Sequence, residues 1–230
     1  MKNKRLLVIL FLLAALFAYA VFRKVFTPRI FIHVLFSMYR MFVGYVTAVV
    51  VGTVFAVALG SSRYVRMAFK PLLSFLISIP TITWVPVLLI ITGISEKTII
   101  ISIFLGSFFA IVYNILDGFD NVDPSLIKAG AMLGYNRMET LYRVSIPASF
   151  NSIIVGLKLG IAYSWRALVG AEMLGAAHYG LGFLIFSSRK FYNINKMLCS
   201  LAIIGLLGYV LNRLLIIFVQ KKTVVKWGIQ

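Results

Sequence analysis

Apolar runs long enough to cross a bilayer recur along the chain, separated by short polar stretches. A spanning helix takes about 20 mainly apolar residues. Six such runs fall at roughly residues 6–22, 40–60, 72–94, 98–116, 152–172 and 197–219. The spacing leaves no room for a separate soluble domain. The pattern therefore predicts an all-α fold: one polytopic membrane helix bundle over residues 1–230, with about six transmembrane helices.

Within the runs, small and polar residues are placed with a period. Gly44, Ala48, Gly52, Ala56 and Gly60 recur every fourth residue of the second run, and Ser152, Gly156, Gly160 and Ser164 do so in the fifth. Small residues let helix backbones approach closely, which drives packing in lipid. Tight packing inside the bundle is preferred for both stripes over a subunit interface or a pathway wall. The third run is interrupted by Ser78-Ile79-Pro80-Thr81-Ile82-Thr83-Trp84-Val85-Pro86. Each proline removes a helix hydrogen bond and kinks the chain. A broken helix is either a structural kink or the wall of a translocation path.

Residues 117–147 form the longest polar segment between two runs. Asp123-Pro124 reads as an N-cap followed by proline at the first helical position. Gly134 suits the left-handed position that ends the helix. Asn136 with Glu139 resembles a capping box for a second short helix, which Pro147 limits. On that helix Met138, Leu141, Tyr142 and Ser145 share a face, with Arg137 and Arg143 on its shoulders. An apolar knob with basic shoulders suits a groove on a soluble partner; the alternative is a solvated hairpin.

Composition agrees with a lipid environment. The chain of 230 residues is 61% hydrophobic, with a mean hydropathy of +0.99. Its net charge of +17 comes from 23 Lys and Arg against 6 Asp and Glu. These cations lie mostly in short loops and at helix ends, where they set topology and meet anionic lipid, so nucleic acid is not a partner. With the N-terminus inside, twelve cations are cytoplasmic: Lys2, Lys4, Arg5, Arg63, Arg66, Lys70, Lys128, Arg137, Arg143, Lys221, Lys222 and Lys226. Seven are outside: Arg23, Lys24, Arg29, Lys97, Arg189, Lys190 and Lys196. The positive-inside rule then favours both termini in the cytoplasm. The first run lacks a clear cleavage site and is read as a retained helix.

Five ionisable residues fall in or near apolar runs: Arg40, Lys158, Arg166, Glu172 and Arg213. Arg40 and Glu172 are expected to snorkel from helix ends. Arg166 lies deepest in its run, either to meet an anionic solute or to pair with a carboxylate such as Glu172. Cys199 is the only cysteine, and His33 and His178 are isolated, so neither a disulfide, a metal site nor a cofactor is expected. No paired carboxylates or Ser/His arrangement suggests a membrane enzyme. An ion-coupled secondary transporter needs acidic residues in mid-span, and only Glu172 comes close.

The segment Lys128-Ala129-Gly130, three residues, Gly134, nine residues, Val144-Ser145-Ile146-Pro147 resembles a known pattern. That pattern is Glu-Ala-Ala, three residues, Gly, nine residues, Ile-x-Leu-Pro, which marks permease subunits of bacterial and archaeal binding-protein-dependent ABC importers. Lys128 stands where the pattern has Glu, and Gly130 where it has the second Ala. The Ile79-Pro80 break, Trp84-Val85-Pro86, and Trp165-Arg166 through Gly175 to Gly180-Leu181-Gly182 look like the nitrate/sulfonate/taurine branch. The likeness covers roughly residues 33–219.

The resemblance implies a type I ABC importer permease fold in a prokaryotic cytoplasmic membrane. Its implied partners are ABC ATPase subunits, an extracytoplasmic solute-binding protein and a second permease copy as a homodimer. The chain has no phosphate-binding Gly-x-x-x-x-Gly-Lys-Ser/Thr loop, so ATP hydrolysis is expected in a separate subunit. The implied coupling residues are Lys128, Ala129, Gly130, Gly134, Arg137, Met138, Leu141, Tyr142, Arg143 and Pro147. The broken run and the charges in apolar runs give the candidate pathway residues Pro80, Thr83, Trp84, Arg166 and Glu172, and the resemblance implies a small solute, an anion by preference, such as nitrate, a sulfonate or taurine.

Overall fold

The computed structural model describes residues 28–176 and 178–219. The expected helix over 6–22, and the basic residues before and after this range, lie outside the described residues. Among the described residues all regular structure is helical. Among the described residues four helices are long and apolar enough to cross a membrane: α1 (Pro28–Gly60), α4 (Glu96–Asp120), α8 (Phe150–Gly175) and α10 (Ile194–Val219).

A further apolar segment is a bent pair of helices. α2 (Arg63–Ser78) ends at Ile79, a single 3₁₀ turn covers Thr81–Thr83, and α3 (Trp84–Thr92) follows at a bend of 82°. The sequence suggested a kink at both prolines, but only one makes the break. Pro80 holds the extended residue before the 3₁₀ turn (ψ 129°), whereas Pro86 sits in the first turn of α3. There its missing N–H would have been unpaired in any case.

α4 is the central helix, packed between α1 on one side and α8 on the other. The small-residue stripes are the reason both neighbours come so close. A Cβ on Gly44 would lie 2.7 Å from Cγ2 of Ile103, and one on Gly60 would lie 2.5 Å from Cε2 of Phe119. On the other side, Gly156 and Gly160 admit Asn114 and Ile111 at 2.9 Å. Ala48 and Ala56 are fully buried in the same seam. Both stripes therefore serve packing inside the chain.

Ion pairs fix the two ends of α4. At one end Arg66 meets Asp120 at 2.9 Å, and Lys70 meets Asp117 at 3.0 Å and Asp120 at 2.9 Å, tying α2 to α4. At the other end Glu96 takes a bidentate pair from Arg40 of α1. α9 (Leu181–Lys190), a helix the hydrophobic pattern does not announce, packs across α8 and α10. The indole of Trp165 on α8 fits where Gly208 of α10 has no side chain.

Candidate functional site

The polar segment between α4 and α8 folds as its capping signals require. Asp123 caps α5 (Pro124–Met132) by accepting the N–H of Ser125 at 2.8 Å, which holds its carboxyl below the usual carboxylate range. Gly134 closes α5 at φ 77°. Its N–H donates to Ala131 O at 3.0 Å and that of Tyr135 to Gly130 O at 3.1 Å, the paired bonds of a Schellman end. Asn136 and Glu139 make a reciprocal capping box at 2.9 Å in both directions, opening α6 (Arg137–Thr140).

Beyond α6 the helix does not stop at Pro147, contrary to the sequence reading. It widens into a π turn (Leu141–Ser145) and continues through α7 (Ile146–Ala148) to α8. The N–H of Ile146 reaches back to Leu141 O, five residues away. Proline lacks an N–H for the ordinary i−4 bond, and the wider turn accommodates this. Gly130 lets α5 lie against that turn: a Cβ there would meet Val144 at 3.3 Å and Tyr135 at 3.4 Å. The Arg143 guanidinium lies over the Tyr135 ring, 5.2 Å from its centroid.

The expected apolar knob is divided differently. Leu141, 4% exposed, and Ser145 point inward, Leu141 joining the core of Ala56, Leu73, Ile115 and Phe119. Met138 and Tyr142 point out and border a groove with Val54, Val57 and Ala58 of α1. The exposed apolar tip is instead Met132 and Leu133, 89% and 71% exposed, with Leu126 and Ile127 on the same short helix. Lys128, Ala129, Arg137, Arg143 and Pro147 are exposed as well. Sequence reasoning missed the tip because a face drawn on one short helix does not say which side the rest of the protein covers.

A second feature lies at the broken span. A cavity of about 370 Å³ is bordered by Ile79, Pro80 and Trp84 on the break, Leu105 and Phe109 on α4, and Tyr163 and Arg166 on α8. Among the described residues Arg166 is its one charged group, and it lies 5.9 Å from the Tyr163 ring centroid. Pro80, Trp84 and Arg166 are thus brought together. Thr83 borders no part of this cavity and donates to Pro80 O at 2.6 Å. Tyr163 was not anticipated, although its position three residues before Arg166 puts both on one helix face.

Glu172 is also outside the cavity. It is fully buried and paired with Arg40 at 2.8 Å, and Arg40 itself is 1% exposed. Neither snorkels, and Glu172 does not serve Arg166, which precedes it on the same helix. All six carboxylates of the sequence have local partners. Glu96 and Glu172 hold Arg40, Asp117 and Asp120 hold Arg66 and Lys70, and Asp123 and Glu139 cap helices.

Several apolar helices around a broken one, with a capped polar hairpin between two of them, make a helix bundle suited to a membrane. Residues 48–223 match the family described as binding-protein-dependent transport system inner membrane component, and the protein belongs to that family. It therefore has the type I ABC permease fold and a multi-pass inner-membrane architecture.

The chain is 36% identical over 177 residues to a putative ABC transporter permease of Methanocaldococcus jannaschii, covering 77% of this chain and 66% of that one. It is 30% identical over 180 residues to the taurine transport system permease protein TauC of Escherichia coli, covering 78% and 65%. It is 30% identical over 182 residues to a nitrate import permease protein, NrtB, of Synechocystis, covering 79% and 66%. The matched stretch thus spans just under two thirds of each relative's length.

Proposed function

We propose that this chain is the permease subunit of an ATP-driven ABC importer for a small solute that carries an anionic group, in the range of nitrate, sulfonates and taurine. One observation carries the reading: a doubly capped hairpin between two spans that presents Met132 and Leu133 to solvent. Exposed apolar groups on a capped turn, flanked by Lys128 and Arg137, suit a groove on a soluble protein.

In this reading the hairpin docks on a separate ATPase, which supplies the energy of ATP hydrolysis. Residues 1–230 act as a single permease domain with both termini cytoplasmic, paired with a second copy as a homodimer. An external binding protein delivers the solute. ATPase closure shifts residues 123–147, and α8, continuous with that segment, re-aims Arg166 and the cavity wall between outward and inward access. Pro80, Trp84, Tyr163 and Arg166 form the pathway wall. An ion-coupled transporter is disfavoured, because every carboxylate is engaged in an ion pair or a cap.

The test is uptake in proteoliposomes by the complex purified from native membranes, with nitrate and taurine as probes. Uptake of either that requires internal ATP and is unaffected by collapsing ion gradients supports the reading. Gradient-driven uptake without ATP overturns it.

A further inference from the structure

α9 begins without a cap of its own. Gly180 occupies its N-cap position at φ 145° and has no side chain to accept the first free N–H groups. Residues of two other helices do so. Ser37 Oγ on α1 accepts the N–H of Leu181 at 2.9 Å, and Glu172 Oε2 on α8 accepts that of Gly182 at 3.0 Å. Ser37 also donates to both Glu172 oxygens, at 2.8 and 2.9 Å.

Arg40 closes the arrangement. Its Nη1 donates to Glu172 Oε1 at 2.8 Å and to Tyr179 O at 2.6 Å, and its other two nitrogens each donate to Glu96 at 2.5 Å. One guanidinium thus joins α1, the first turn of α4, the last turn of α8 and the chain entering α9. The backbone is drawn in as far as glycine allows. A Cβ on Gly180 would lie 2.6 Å from Glu172 Cδ, and one on Gly182 would collide with Val169 O.

Buried ion pairs are poor devices for stability alone, since well-packed apolar residues often replace them at no loss. What apolar contact lacks is direction. A forked guanidinium and a carboxylate on two helix N–H groups fix rotation and register. Glu172 lies six residues after Arg166, about 9 Å along the same helix. What is fixed at Glu172 is therefore the end of the helix that carries the cavity's cation.

We propose that Arg40 and Glu172 are positioning residues for transport: they key the first turn of α9 to the end of α8, so that α9 and the Arg166-bearing helix move as one body when access alternates. The proposal rests on the importer reading above.

The experiment uses the complex from native membranes in lipid nanodiscs, in a Cys199→Ala, Thr81→Cys parent, Thr81 being a residue of the break that also borders the cavity. Amide exchange is followed at Leu181 to Leu184, and labelling of the cavity cysteine by a water-soluble thiosulfonate is timed without nucleotide and with ATP and vanadate. In the parent, α9 amides are expected to stay protected in both states, while cysteine labelling changes about tenfold between them. In Glu172→Gln and Arg40→Lys, α9 exchange should rise about tenfold. The labelling contrast should be lost while ATP hydrolysis continues.

Ser37→Ala, which keeps the ion pair and removes one cap, should move both readouts the same way by less, and remains informative where the charge variants fail to accumulate. A loosened α9 with an unchanged labelling contrast, or no loosening, overturns the proposal. A parent with no nucleotide contrast overturns the importer reading itself, and this one with it.

Discussion

Gly130 packs against Val144: a Cβ on the glycine would lie 3.3 Å from Cγ2 of the valine. That distance is close enough to be felt and open enough for a methyl. Gly130→Ala is therefore expected to transport within about twofold of wild type, whereas Gly130→Leu overpacks the seam by about 1–3 kcal/mol and lifts α5 off the π turn. ATP-driven uptake compared at equal membrane abundance checks this.

Gly134 is held at φ 77° with nothing within 4 Å of where a Cβ would lie. The obstacle to replacement is backbone conformation, not space. Gly134→Val should cost about 1–2 kcal/mol locally and misdirect the tip, leaving insertion normal and uptake reduced about tenfold. Gly134→Asn, which tolerates this conformation, should retain more uptake than the valine variant.

Leu141 behaves as core. Leu141→Asp buries an unpaired carboxylate and should lower accumulation and thermal stability of the whole protein by several kcal/mol, on the order of 3–5. Leu141→Met, which conserves volume, should be tolerated. A stable, well-accumulated aspartate variant would contradict the packing described.

Arg166→Gln is expected to reduce uptake of an anionic solute by about tenfold or more while the ATPase stays bound, since it removes the cation that borders the cavity among the described residues. Arg166→Lys, which keeps charge and loses the planar fork, should lie between. Uptake kinetics and co-purification on the same samples check both parts.

The order of the spans from residue 28 onward, the hairpin and its caps were legible because their signals are local. Asp123-Pro124, Gly134 and the Asn136/Glu139 pair each act within four residues of themselves. The broken span was legible as a break, but the 82° bend was not, since Pro80 and Pro86 look alike in sequence and differ only in where the helix starts. The Arg40–Glu172 pair was read as two snorkelling charges because its partners are 132 residues apart. The available hint was the cost of a charge in an apolar run, which is relieved when two such charges meet. Leu141 was misassigned for a related reason: the π turn and the core it enters are tertiary facts.

The central claim is that the Met132–Leu133 tip holds a soluble ATPase. The most direct measurement is mild-detergent purification of wild type and a Met132→Asp, Leu133→Asp variant from native membranes, with mass spectrometry of what accompanies each. Both positions are exposed, so the variant should accumulate and melt as wild type does. The account predicts an ATPase in the wild-type sample that is lost from the variant. An ATPase retained by the variant, or a wild-type protein that purifies without one, would contradict it.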